Sequence, residues 1–102
     1  MGNVGQVSVT FAVLLWPVDG RSAELHSYED DVLRLVDEHR GRVVTRVRSV
    51  DPDDTHPGET QIIEFDDDAA FESYMADPRR AAMAGRRDEC VARTQLWRVD
   101  AD

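Results

Sequence analysis

Lysine is missing from this chain of 102 residues, and its twelve basic side chains are all arginine. Schiff-base chemistry and lysine general bases are thereby excluded. A GC-rich coding bias accounts for the arginine excess. Cysteine is nearly absent too. Cys90 stands alone, which rules out an internal disulfide and a cysteine-rich metal site. Positive charge is scarce overall, with a formal net charge of -9, so the basic footprint that nucleic acid or an acidic lipid surface requires does not exist. The longest apolar stretch, Val7 to Trp16, is too short to cross a bilayer and has no basic segment before it. The opening Met-Gly-Asn-Val-Gly-Gln lacks the hydroxyl residue of a myristoylation signal. Phosphate-loop, dinucleotide and nucleophile-elbow motifs are missing, so kinase, nicotinamide and hydrolase readings drop out on motif grounds. A soluble cytoplasmic protein without metal or cofactor is expected.

What is present suffices for one domain. Hydrophobic residues make up 41% of the chain, and the length is that of a single domain, about 100–150 residues. One domain over 1–102, with an ordered core from about 7 to 99, is expected. Val7 to Trp16 is β-branched and aromatic and is halted by Pro17, which predicts a strand. Ser22 is placed to cap a helix over Ala23 to His39, whose apolar stripe is Leu25, Tyr28, Val32, Leu35 and Val36. Gly41 is placed as its C-terminal cap. Arg42 to Val50 predicts a second strand, Asp51 to Gly58 a turn region, and Thr60 to Phe65 a third strand. The carboxylates of Asp66, Asp67 and Asp68 suit the start of a helix running to Ala76, with Phe71, Tyr74 and Met75 buried. Asp77-Pro78 restarts a short helix that carries Ala82, Met83, Arg86 and Arg87, and Ala92 to Val99 predicts the last strand. The order β-α-β-β-α-(α)-β defines an α+β, ferredoxin-like βαββαβ fold, a four-stranded antiparallel sheet with helices on one face.

The first strand does not alternate cleanly. Val7, Val9, Phe11, Val13 and Leu15 fall on one parity, and Ala12, Leu14 and Trp16 on the other. Helices cover only one face of such a sheet, so Leu14 and Trp16 would form an exposed apolar patch of a kind that monomers seldom leave open. A homodimer pairing sheet against sheet is expected.

Several segments carry a likeness to a known group. His39-Arg40-Gly41-Arg42 leaves the first helix, Glu64-Phe65-Asp66-Asp67 enters the second, Phe71-Glu72-Ser73-Tyr74-Met75-Ala76-Asp77-Pro78 follows, and Arg86-Arg87 precedes Thr94 to Val99. From about Val9 to Val99 the chain resembles the dimeric α/β barrel superfamily, in particular its small bacterial branch, where a His-Gly-Gly turn is usual. Here Arg40 replaces the first glycine. The resemblance implies two ferredoxin-like sheets closing into a barrel with a pocket in each subunit. Its relatives include cofactor-free monooxygenases of antibiotic biosynthesis, polyketide cyclases, isomerases and haem-active proteins. Shared fold alone does not select among these activities.

Few side chains are suited to carry such chemistry. His26, His39 and His56 lie far apart in sequence, with no pair at the spacing one helix presents to a metal ion. His39 reads as a structural residue at a helix end, and His56 as part of a solvated acidic loop. His26 or Tyr28 is the candidate acid or base. Arg46 is the candidate anion stabiliser, and it either pairs with Glu64 across neighbouring strands or holds an enolate oxygen. Trp16, Tyr74 and Trp97, with Tyr28, are candidates to line a pocket for a flat apolar substrate, and Glu64 is a further candidate substrate contact. The expected function is a cofactor-independent enzyme of secondary metabolism, of monooxygenase or cyclase/isomerase type. It would act by proton transfer on an aromatic or polyketide-like small molecule. The alternative is a non-catalytic, ligand-binding or accessory homodimer.

Overall fold

The computed structural model describes residues 8–100. Val7 and the last two residues, which the expected first strand and tail include, lie outside them. The elements are β1 (Val9–Pro17), α1 (Ser22–Val32), a 3-10 segment (Leu33–His39), β2 (Gly41–Arg48), β3 (Glu59–Phe65), α2 (Asp68–Met75), α3 (Pro78–Ala82), α4 (Ala84–Cys90) and β4 (Val91–Val99). The four strands form one antiparallel sheet in the order β2-β3-β1-β4. This is the expected α+β, ferredoxin-like arrangement, with the helices on one face and the sheet open.

Parity along β1 decides which residues go under the helices. Val9, Phe11, Val13 and Leu15 join Leu25, Tyr28, Val32 and Val36 in the core. Ile63 and Phe65 of β3 belong to the same cluster, and Phe71 packs against it. The Phe71 ring lies 4.0 Å from that of Phe11 and 5.6 Å from that of Phe65, so one end of the layer is an aromatic stack. Thr10, Ala12 and Trp16 are also nearly solvent-free, because β1 is flanked by strands on both sides. Leu14 is partly exposed, and Trp97, opposite Ala12 on the same open face, is 45% exposed.

Several local expectations need correction. Ser22 is the first helical residue and not the cap. Arg21 occupies that position and makes no side-chain capping bond. The long first helix tightens into a 3-10 segment for its last seven residues. Its C-terminal cap is Arg40, in the left-handed region at φ 58°, and not Gly41. Gly41 is needed for another reason: a Cβ there would lie 2.6 Å from the Phe65 ring and 2.8 Å from Val36. β2 ends at Arg48 and does not reach Val50, which is almost fully exposed. Met75 is turned outward at 42% exposure, while Tyr74 beside it is buried. The predicted helix after Asp77 is broken at Met83 into α3 and α4. Asp77 and Pro78 start α3 as expected, Asp77 accepting from the Arg79 amide at 2.8 Å. Asp67 likewise caps α2 by accepting from Ala70 at 2.8 Å.

Candidate functional site

The sheet face beneath α1 changes character along β3. Glu59, Gln61, Ile63 and Phe65 all point to the helices. The last two are apolar core, whereas Glu59 and Gln61 are buried polar residues at 0% and 1% exposure. Such groups are tolerated inside only when their hydrogen bonds are complete. Here they are met by a network. Arg46 of β2 donates through Nε to Glu59 Oε2, and His26 Nδ1 lies 2.7 Å from Glu59 Oε1. Gln61 spans two carboxylates, its amide nitrogen 2.7 Å from Glu59 Oε2 and 2.8 Å from Glu29 Oε1. Arg46 also reaches Asp30 at 2.6 Å and the His26 carbonyl at 3.0 Å.

Arg46 arrives there because of a register shift. Val43 pairs with Ile63, but Thr45 already pairs with Ile62, so Val44 is an extra residue in β2. Beyond it the parity inverts, and Arg46, opposite Gln61, faces the helices. The expected pairing of Arg46 with Glu64 does not occur. Glu64 lies on the other face, where it accepts from Arg42 at 2.8 Å and from Ser8 at 2.9 Å. The four aromatic candidates do not meet in one pocket either. Tyr28 and Tyr74 are buried between helices and sheet, whereas Trp16 and Trp97 belong to the open face.

The two carboxylates bridged by Gln61 are driven in opposite directions. Burial pushes the Glu29 carboxyl above its ordinary value of 4.5, and its hydrogen bond from Gln61 only partly offsets this. Burial acts on Glu59 in the same sense, but the bonds from Arg46, His26 and Gln61 outweigh it and hold Glu59 below the usual range. Glu59 is therefore the more readily ionised member, and Glu29 the one that holds its proton to higher pH. An ionised Glu59 draws the imidazole proton to Nδ1 of His26. That leaves Nε2, which bonds no group among the described residues, free to take or give a proton. The His26 side chain is 15% exposed, so its ring meets solvent, as do the more exposed Arg46 and Asp30. Burial raises the Tyr28 phenol, aided by Glu29, and pushes Tyr74 up to about 12. Both phenols keep their protons at neutral pH.

Glu29, Glu59 and Gln61 escaped the sequence reading. Their signal was positional: Glu29 falls four residues after Leu25 on the buried stripe, and Glu59 and Gln61 extend the inward parity of Ile63 and Phe65. His39 bonds Ser73 and Asp77, and His56 bonds Asp53 in an exposed loop. No group of three metal-binding side chains occurs among the described residues, and no helix there is long and apolar enough to cross a membrane. A separate cavity of about 740 Å³ lies at the strand ends, lined by Trp16, Asp19, Pro52, Asp54 and Arg93 among others. It shares no residue with the His26 network. The Arg93 guanidinium lies 3.8 Å over the Trp16 ring there.

These features define a ferredoxin-like α+β protein with a buried, histidine-linked carboxylate pair. Solved structures with the same fold include a dabb family protein from Mesorhizobium loti, at 19% identity and a TM-score of 0.66 over 93% of this chain and 97% of that one. SnoaB, a cofactor-independent oxygenase from Streptomyces nogalater, is 19% identical with a TM-score of 0.70, covering 93% of each chain. A dimeric protein of ferredoxin-like fold from Bacteroides fragilis is 15% identical, with a TM-score of 0.70 over 91% of this chain and 95% of that one. No family model matches the sequence, and no curated protein matches it. At these identities the likeness shows the ferredoxin-like fold of the single chain, as expected.

Proposed function

We propose that the protein is a cofactor-independent enzyme that abstracts and returns a proton on an enolisable small molecule, with His26 as the acid and base. The observation that carries this reading is the 2.7 Å bond from His26 to the fully buried Glu59. A carboxylate in that position fixes the ring, selects its tautomer and stabilises the imidazolium formed on proton uptake. Arg46 acts one step back. Its donors are committed to Glu59, Asp30 and the His26 carbonyl, so it locks the base in place and does not hold a substrate anion. Tyr28, proton-bound, belongs to the core behind the site. The fold shared with SnoaB supports chemistry on aromatic or polyketide-like carbonyl compounds, either cyclisation and isomerisation or oxygen insertion through an enolate.

The working unit in this proposal is a homodimer. The open face presents Leu14 and Trp97 on β1 and β4 and Val47 and Ile62 on β2 and β3. Val47 is 54% and Trp97 45% exposed. A second copy of the same face is the simplest cover, and the likeness to a dimeric structure supports it.

The test is proton exchange in heavy water with a panel of phenolic and 1,3-dicarbonyl compounds, followed by NMR. Wild-type protein should accelerate exchange at the activated carbon of at least one class. His26→Gln should lose about 100-fold or more of that acceleration, the range expected for a positioned general base. Exchange that is equally fast in the variant sinks His26. The accessory-dimer reading rests on the Trp16 cavity, which no member of the network reaches. Saturable binding without exchange would favour it.

A further inference from the structure

A second hydrogen-bonded chain stands on the opposite side of the helical layer, built from residues that no sequence motif links. The Ser73 hydroxyl lies 2.6 Å from His39 Nδ1, and His39 Nε2 lies 2.7 Å from Asp77 Oδ2. The Asp77 side chain is 4% exposed and that of His39 15%, while Ser73, on α2, is exposed. Asp77 is held by Arg79, whose Nε and terminal nitrogen donate to it at 3.1 and 2.8 Å, and by the Arg79 amide at 2.8 Å. Arg79 is in turn braced by Glu38 at 2.9 Å.

We propose that Ser73 is an acyl-accepting nucleophile activated by His39 and Asp77. The chemical argument follows the order of the chain. A buried carboxylate with three donors from Arg79 is an acceptor only, so the His39 Nε2 nitrogen donates to it and carries the imidazole proton. Nδ1 is then the unprotonated nitrogen, and it accepts from the Ser73 hydroxyl. This is the relation among hydroxyl, base and orienting carboxylate that makes a serine nucleophilic, with the two ring nitrogens exchanged relative to the serine-protease arrangement. Ser73 Oγ attacks the carbonyl carbon of an activated ester or thioester, and its proton passes to Nδ1. The carbon–oxygen or carbon–sulfur bond breaks, and the leaving group departs with that electron pair and the proton from His39. Water, activated by the same nitrogen, later hydrolyses the acyl-serine.

Ser73 lies inside α2, where backbone amides are engaged by the preceding turn. Within α2 the amide of Ser73 is engaged, and among the described residues no pair of free backbone N–H groups flanks it for the oxyanion, whose binding is often the largest single contribution in acyl transfer. Acylation is therefore restricted to donors with good leaving groups, and the acyl-serine is long-lived. The absence of lysine leaves little competing amine on the surface, so the modification is simple to read.

The experiment treats the intact protein with 4-nitrophenyl acetate and, separately, with a fluorophosphonate, and maps adducts by peptide mass spectrometry. Ser73 should label at least about 100-fold faster than Ser27, an exposed serine elsewhere on the helical layer. The preference should vanish in urea and in His39→Gln, and Ser73→Ala should remove the adduct. Should His39→Gln fail to fold, the native Ser73-to-Ser27 ratio decides by itself. Equal labelling of the two serines overturns the proposal, and so does an undiminished Ser73 rate in a folded His39→Gln protein.

Discussion

The two faces of the sheet solve opposite problems. Beneath α1, polar groups are taken out of water and must satisfy one another. On the open face, apolar groups such as Val47 and Trp97 remain in water. The network around Glu59 is thus completed within one chain. The open face leaves apolar surface uncovered. A charge placed among satisfied partners gains local definition, whereas an exposed apolar side chain gains only by association.

The comparison is broken hardest at Glu59. Glu59→Leu removes the acceptor of Arg46, His26 and Gln61 together. Arg46 keeps Asp30 and the His26 carbonyl, so the loss comes from the broken pair and the orphaned donors and should be about 1–3 kcal/mol, read as a lower urea midpoint. A loss below about 1 kcal/mol would mean that water or side-chain movement rescues the site. On the open face, Trp97→Glu should change unfolding stability of the single chain by no more than about 0.5 kcal/mol. It should nonetheless convert any dimer to monomer in sedimentation at micromolar concentration. Unchanged association would show that Trp97 is not part of the contact.

The subtlest effect concerns Glu29, whose folded carboxyl is raised by burial. Such an acid binds its proton more tightly when folded, so it lowers stability once pH exceeds the unfolded value of 4.5. Glu29→Gln should therefore be more stable than wild type at neutral pH, with the advantage shrinking as pH falls through the raised folded value and gone below 4.5. Glu59 works in the other sense: its stabilisation is present above the unfolded value and fades on acidification through its lower folded one. An advantage of Glu29→Gln that stays constant with pH would show that folding does not raise the Glu29 carboxyl.

The fold was legible because its signals are local. Strand-like residues stopped by Pro17, turn chemistry from Asp51 to Gly58, and the Asp77-Pro78 start of α3 each act within a few positions. The site was legible only in part. His26 and Arg46 could be singled out as chemical types. That they converge on Glu59 depends on the extra residue in β2, which reverses the parity on which the Arg46–Glu64 expectation relied. Glu29 and Gln61 were hidden because polar residues on a buried stripe are recognised only once their partners are known. Ser73, His39 and Asp77 were hidden because α2 and α3 bring them together across more than thirty positions.

The bulge at Val44 also sets what a change of one residue in β2 would do. Deleting Val44 would leave Thr45 opposite Ile62 and Arg46 opposite Gln61, so the far half of the strand would keep its facing. Closing the bulge with Val44 retained would instead put Val44 opposite Ile62 and Thr45 opposite Gln61, and Arg46 would swing outward. Proteins of the same outline that pair this strand in another register therefore need not share its chemistry, and the pairing at this point is a better marker of kinship in function than overall shape.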